Sequence, residues 1–178
     1  INCACGTSPI KKQRDKIVPR ASGIVLEIGI GTGMNLPHYD PSRVSKVIGL
    51  DPSEKSWELA GERAAHLDFD LEFIGLPGEE IPLDDASVDT VLVTYALCTI
   101  PDPVQALQEV RRVLKPTGRL LFLEHGRSDD ARTAAWQDRL NPLQNVIGCG
   151  CNLNRRIDQL ISKAGLHILQ LDRFVMEG

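Results

Sequence analysis

The chain has 178 residues, 42% hydrophobic and 25% charged, proportions that suit one globular domain and exclude a disordered polymer. Twenty Lys and Arg against twenty-four Asp and Glu give a net charge of −4, which argues against a dedicated nucleic-acid binder. No apolar run approaches the ~20 residues of a membrane-spanning helix, and an odd count of five cysteines disfavours a fully paired disulfide framework and points to a reducing, cytoplasmic setting.

Residues 1–23 stand apart. Lys11, Lys12, Arg14, Lys16 and Arg20 face one acid, Asp15. This stretch is expected to be a basic helical segment ahead of a single domain over 24–178. The first residue is Ile1 and no signal peptide is visible, so the natural start is expected upstream. Ile24 to Ile28 is a short apolar run ending in glycines, as a buried strand before a tight turn would be. Lys46 to Leu50 is a second strand. Ser53 caps a helix to about Leu67, with Glu54 in its first turn. Leu71 to Gly75 and Val88 to Thr94 are further strands, the latter apolar at nearly every position, as a strand covered on both faces should be. Pro103 opens a helix to about Leu114. Residues 115–118 read as a turn, and Arg119 to Glu124 as a fifth strand. Residues 129–140 and 154–164 are predicted helices, the second ending at Gly165. Leu166 to Val175 is predicted as a sixth strand.

Strands alternating with helices imply an α/β, Rossmann-like, doubly wound and mostly parallel sheet. Ligands of such sheets bind beyond the C-terminal strand ends. The first such end is Glu27-Ile28-Gly29-Ile30-Gly31-Thr32-Gly33. Its glycines permit positive φ and close backbone approach. The dinucleotide pattern would need glycine at 34, where Met34 stands, and no P-loop Gly-Lys-Ser/Thr follows. An acid at 27 repels phosphate and suits a ligand carrying positive charge. At the second strand end, Asp51 can accept two hydroxyl hydrogen bonds from a ribose diol.

The pattern Glu-x-Gly-x-Gly-x-Gly resembles the first motif of class I S-adenosylmethionine-dependent methyltransferases. The resemblance implies S-adenosylmethionine as cofactor, held by Glu27, Gly29, Gly31, Gly33 and Asp51. It also implies Asn35 at the methionine part and Pro52 and Ser53 beside the adenine. Gly78 to Asp89 is similar to a shared segment of that family. Pro77 replaces the usual adenine-binding Asp, which moves the expected contact to Gly78 and Glu79. Asp89 is read as structural. Thr94, by its backbone, and Leu97, by its side chain, are expected under the transferable methyl. Tyr95 faces the acceptor or is a packed ring. Cys98 is read as a buried inert thiol.

His125, closing Leu121-Phe122-Leu123-Glu124-His125, is the candidate base, since imidazole titrates near neutral pH; the alternative is a structural histidine. Together with Trp136 and Gly148-x-x-Cys151-Asn152-Leu153-x-Arg155, the segment resembles thiol S-methyltransferases of animals and bacterial phospholipid N-methyltransferase-like relatives. This implies a small thiol or lipid acceptor lined by Trp136, Cys151 and Asn152. Cys3, Cys5, Cys149 and Cys151 form two Cys-x-Cys pairs, a spacing poorer than the usual Cys-x2-4-Cys for one tetrahedral ion. They are read as free thiols with no metal assigned, against a zinc site, a metalloid-substrate site or an adventitious disulfide. The basic N-terminal segment is expected to lid the cofactor mouth with its charges in water, or to touch an anionic membrane. Two rival functions stand beside methyl transfer: a nicotinamide-dependent oxidoreductase and a non-catalytic nucleoside binder. The family's sheet has seven strands, and six are placed here, so the chain is expected to be short at both ends.

Overall fold

The computed structural model describes residues 8–65 and 67–175; Cys3 and Cys5 lie outside them. Among the described residues there are five strands, β1 (Gly23–Ile28), β2 (Val44–Leu50), β3 (Asp70–Ile74), β4 (Val88–Thr94) and β5 (Leu114–Leu123). They form one all-parallel sheet in the order β3-β2-β1-β4-β5. β1 bonds to β2 on one side and β4 on the other. Strand order therefore reverses there, and the crevice opens above the C-terminal ends of β1 and β4.

Side chains alternate across a strand, so a sheet covered on both faces needs two cores. Leu26, Ile28, Ile48, Leu50, Val91 and Val93 pack on one face against Leu107, Val110 and Ile161. Val25, Val47 and Leu92, the intervening positions, pack on the other against Val18, Leu36 and Tyr39. The helices are α1 (Ser8–Ile17), α2 (Glu54–Glu58), α3 (Gly61–Ala64), α4 (Pro103–Val113), α5 (Ala131–Ile147) and α6 (Ile157–Lys163). Ser53 caps α2 by accepting the Ser56 N–H at 3.2 Å. Asp102 caps α4 by accepting from Val104 and Gln105 at 3.1 and 3.0 Å. Asp89 is structural as expected: it accepts from the Ile24 N–H at 2.9 Å and from Lys115 at 2.8 Å.

Four expectations about elements change. The helix over 53–67 is two short pieces, α2 and α3, joined through Leu59 and Ala60 just before Gly61, a poor helix former. α5 runs through Pro142 to Ile147 and does not stop at 140. There Asn141 accepts the Leu153 N–H at 2.7 Å, so tertiary bonding holds the turn that Pro142 weakens. Residues 115–118 are a bulge inside β5, since Val88 pairs with Leu114 and Thr90 with Arg119. Residues 166–175 are not a strand. A strand needs a neighbour for its ladder, and this segment bonds instead through Arg173, to Asp129 at 2.8 Å and Asp158 at 2.7 Å.

Candidate functional site

The C-terminal ends of β1, β2, β4 and β5 bring the expected residues to one side of the sheet. Glu27 is 1% exposed, although it ends a core strand. Its two oxygens accept from Asn35 Nδ2 at 2.8 Å and the Tyr39 hydroxyl at 2.6 Å. Burial pushes its carboxyl up to about 7, against the lowering effect of those two bonds and of Arg14. The same burial, with Glu27 beside it, holds the Tyr39 phenol well above its ordinary range.

The glycine loop is shaped by two different needs. A Cβ at Gly29 would sit 2.6 Å from Ala96 Cβ, and its φ is +74°, so this glycine lets the loop after β1 press against the loop after β4. A Cβ at Gly31 would meet nothing nearer than Asp51 Oδ2 at 3.8 Å. That position is in ordinary van der Waals contact with an acid, and its φ of +50° favours glycine. Asp51 ties the two strand ends together, accepting from Gly31 N at 3.0 Å and Ser53 N at 2.8 Å.

Arg14 of α1 was expected in water but is 5% exposed. It donates to Asn35 Oδ1 and, at 2.9 Å, to Thr94 Oγ1. Its guanidinium lies 5.6 Å from the centre of the Tyr95 ring, and its buried Nε has no partner. Asp15 meets His38 at 2.6 Å, so α1 rests on the loop after β1 and on the end of β4. Asn35 thus serves Glu27 and Arg14. Tyr95 has φ +55°, a costly conformation for a non-glycine residue that concentrates at functional sites.

Glu124 ends β5. One of its oxygens accepts the N–H groups of Ala96 and Leu97 at 2.8 and 2.9 Å, and the other is buried without a partner. Desolvation raises this carboxyl to about 7. Burial lowers the pKa of neighbouring His125, which favours the neutral imidazole. His125 Nε2 lies 3.2 Å from Cys151 Sγ. Glu79 accepts the Asp102 N–H at 3.0 Å through one oxygen and leaves the other buried and unpartnered, while Gly78 is packed beside Ile28 and Ile100.

Several expected contacts sit elsewhere. Leu97 is 1% exposed and belongs to the core. Trp136 is 62% exposed on the outside of α5, with Arg139 5.9 Å from its ring centre, so it lines no pocket within the described fold. Asn152 is a clamp: its main-chain N and its Nδ2 both donate to Cys98 O at 2.9 Å. Arg155 donates to Leu97 O and to Ile100 O, the latter at 2.7 Å. The 148–155 segment therefore straps the loop after β4. Sequence reasoning missed Arg14, Tyr39, Glu124 and Arg155 as site residues. For Arg14 a signal existed, its helical spacing four residues after buried Ile10.

Comparisons with known proteins bear on the family and the fold. Thiol S-methyltransferase TMT1B of Rattus norvegicus is 39% identical over 153 residues, covering 83% of this chain and 62% of the relative. Phosphatidylethanolamine N-methyltransferase of Cereibacter sphaeroides is 30% identical over 128 residues, covering 71% and 62%. The chain thus spans about three-fifths of the length of these relatives. The YcgJ protein of Bacillus subtilis superposes with a TM-score of 0.69 at 24% identity, over 87% of this chain and 65% of that one. Geranyl diphosphate methyltransferase, solved in complex with SAM, gives 0.66 at 15% identity over 86% and 61%. These two likenesses show the fold. Residues 26–122, more than half of the 178, match the profile of the family described as methyltransferase domain. The chain belongs to the methyltransferase domain family, and its glycine loop is of that kind rather than a nicotinamide-binding one.

Proposed function

We propose that this protein is an S-adenosylmethionine-dependent methyltransferase acting on a small thiol. The observation that carries the reading is Glu27, an acid kept in the core near Asp51 at the C-terminal ends of β1 and β2. Burying it is costly, and a cationic ligand repays that cost. The residues present fit the cofactor. Glu27 would supply the negative charge near its cationic amino-acid end. Asp51 would accept from its ribose, and the unpartnered oxygen of Glu79 would take its adenine edge, with Pro52, Ser53 and Gly78 alongside. Backbone of Gly29 and Thr94 would border the cofactor, while Gly33 is packed against Leu36 and Ala60. Leu97 supports this floor from the core.

Bound S-adenosylmethionine supplies an electrophilic methyl on a sulfonium. The chain's part is to orient the acceptor and take its proton. His125, neutral because it is half-buried, accepts the proton of an acceptor thiol at Nε2, and Tyr95 bounds the acceptor side. Alignment of the reacting atoms to about 3–3.5 Å supplies most of the acceleration. α1 covers the cofactor mouth through Arg14, which joins Asn35 to Thr94. Free Cys98 and Cys151 suit the reducing, cytoplasmic setting in which this reading places the protein.

A second reading, a phospholipid amine as acceptor, is favoured by one observation. Trp136, Leu140, Leu143 and Ile147 are exposed along one face of α5, a stripe suited with the basic N-terminal segment to peripheral membrane contact. No helix among the described residues is long and apolar enough to cross a membrane. Labelled S-adenosylmethionine offered with a panel of small thiols and with phosphatidylethanolamine vesicles separates the two. Calorimetry with S-adenosylhomocysteine tests the common part: no binding at all removes both readings.

A further inference from the structure

The loop after β4, the end of β5 and the turn after α5 converge on three soft or borderline donors. Cys98 Sγ, His125 Nε2 and Cys151 Sγ lie within 4.8 Å of one another, and the Cys151–His125 pair is at 3.2 Å. A tetrahedral zinc ion, with Zn–S about 2.3 Å and Zn–N about 2.0–2.1 Å, holds such atoms about 3.5–3.8 Å apart. The loosest pair has to close by about 1 Å. Two sulfurs and one imidazole nitrogen, with a fourth position free, are the donor set of a catalytic-type rather than a structural zinc site.

The scaffold around these donors is already fixed. Asn152, next to Cys151, bonds twice to the carbonyl of Cys98 at 2.9 Å, so the two cysteine backbones are locked together. Arg155 brackets Cys98 through the carbonyls of Leu97 and Ile100, and its cation offsets the charge of two thiolates. Bonding of this kind behind the donors is what sets the geometry of metal sites. Cys98 is 3% exposed, while His125 and Cys151 are half-buried, so an ion would enter from their side. Cys149, the other half of the expected thiol pair, is exposed and outside the trio.

We propose that Cys98, His125 and Cys151 form a three-donor site for one thiophilic divalent cation of the Zn2+ class. Binding releases one proton from each thiol, and the ion takes the two thiolate pairs and the Nε2 lone pair. An ion there occupies the same nitrogen that serves as base, so loading and methyl transfer to a thiol exclude each other. That last clause rests on the proposed function; the site itself does not.

Titration of the reduced full chain with Co2+, followed by Zn2+, tests the site without an activity assay. One equivalent of Co2+ should give thiolate-to-cobalt charge-transfer absorption and the visible bands of four-coordination, both erased by Zn2+. Cys151→Ser and His125→Ala should each weaken binding at least tenfold, with circular dichroism unchanged. Cys151 is half-buried and its serine variant near-isosteric, so this arm stands even where Cys98→Ser unfolds. The triple variant Cys3→Ser, Cys5→Ser, Cys149→Ser should keep the spectrum. Absence of the spectrum, its survival in Cys151→Ser, or its loss in the triple variant would overturn the proposal. Zn2+ that fills the site without slowing methyl transfer would overturn the base role of His125 and leave the ion site standing.

Discussion

Replacing Glu27 with glutamine should make the protein more stable at high pH and less able to bind its cofactor. In the fold this carboxyl titrates near 7, and in the unfolded chain at about 4.5. The folded state therefore holds the proton more tightly, so its stability falls as pH rises from the lower value through the upper. Each pKa unit is worth about 1.4 kcal/mol, so keeping Glu27 ionised above pH 7 costs the fold about 3 kcal/mol. Glutamine fills the same space. Its oxygen still accepts from Asn35, and its amide can donate to the Tyr39 oxygen. The variant should match the wild type near pH 4.5 and exceed it by up to about 3 kcal/mol at pH 8. For a chain of this size that is a rise in Tm of about 6–12 °C. Thermal unfolding of the ligand-free proteins across pH 4.5–8 reads this directly. Calorimetry at pH 8 should show S-adenosylhomocysteine bound at least tenfold more weakly. Parallel stability–pH curves for the two proteins would refute the assignment of a strained, ionised Glu27.

Four further outcomes follow from the site. Asp51→Ala should weaken S-adenosylhomocysteine binding at least tenfold by calorimetry, because it removes the ribose acceptor and the anchors of Gly31 and Ser53. Arg14→Met should leave Asn35 and Thr94 short of a donor and lower stability by about 1–3 kcal/mol in urea titration; an unchanged midpoint would deny α1 its place over the crevice. With a thiol acceptor, the acid limb of kcat/KM should fall below the ordinary histidine range, since burial lowers the pKa of His125. His125→Ala should erase that limb and cost about 100–10,000-fold. Asn152→Ala should destabilise the fold by about 1–3 kcal/mol in chemical denaturation, because it strips the Cys98 carbonyl of one donor and Asn141 and Asn145 of their acceptor.

The sheet was legible because its strands are buried on both faces. β1, β2 and β4 read as continuous apolar runs, and the glycines after β1 need positive φ whatever surrounds them. Pro103 announced α4 by local chemistry alone, and the Asp102 cap went unread. What failed depended on partners distant in sequence. Residues 166–175 carry a strand-like composition but make no ladder, and composition cannot state whether a neighbour exists. Arg14 reads as one of five surface cations until α1 docks and turns that single position inward. Tyr39 lies outside every predicted element, yet it is the donor that makes a buried Glu27 tolerable. Cys98 read correctly as buried, but its nearness to His125 and Cys151 arises from three separate connections meeting at one sheet end. Trp136 was expected at the acceptor pocket by resemblance, and its exposed place on α5 shows that a short motif does not tell which side of a helix is covered.

The strap from Gly148 to Arg155 has a consequence for how the acceptor preference can change. Its side chains hold the carbonyls of Leu97, Cys98 and Ile100, and the same loop presses on Gly29 of the first motif through Ala96. Acceptor choice and cofactor grip are therefore not modular. A laboratory lineage selected for a new acceptor by mutating this strap will drift in cofactor KM at the same time, and its second steps will fall at positions 29 and 96.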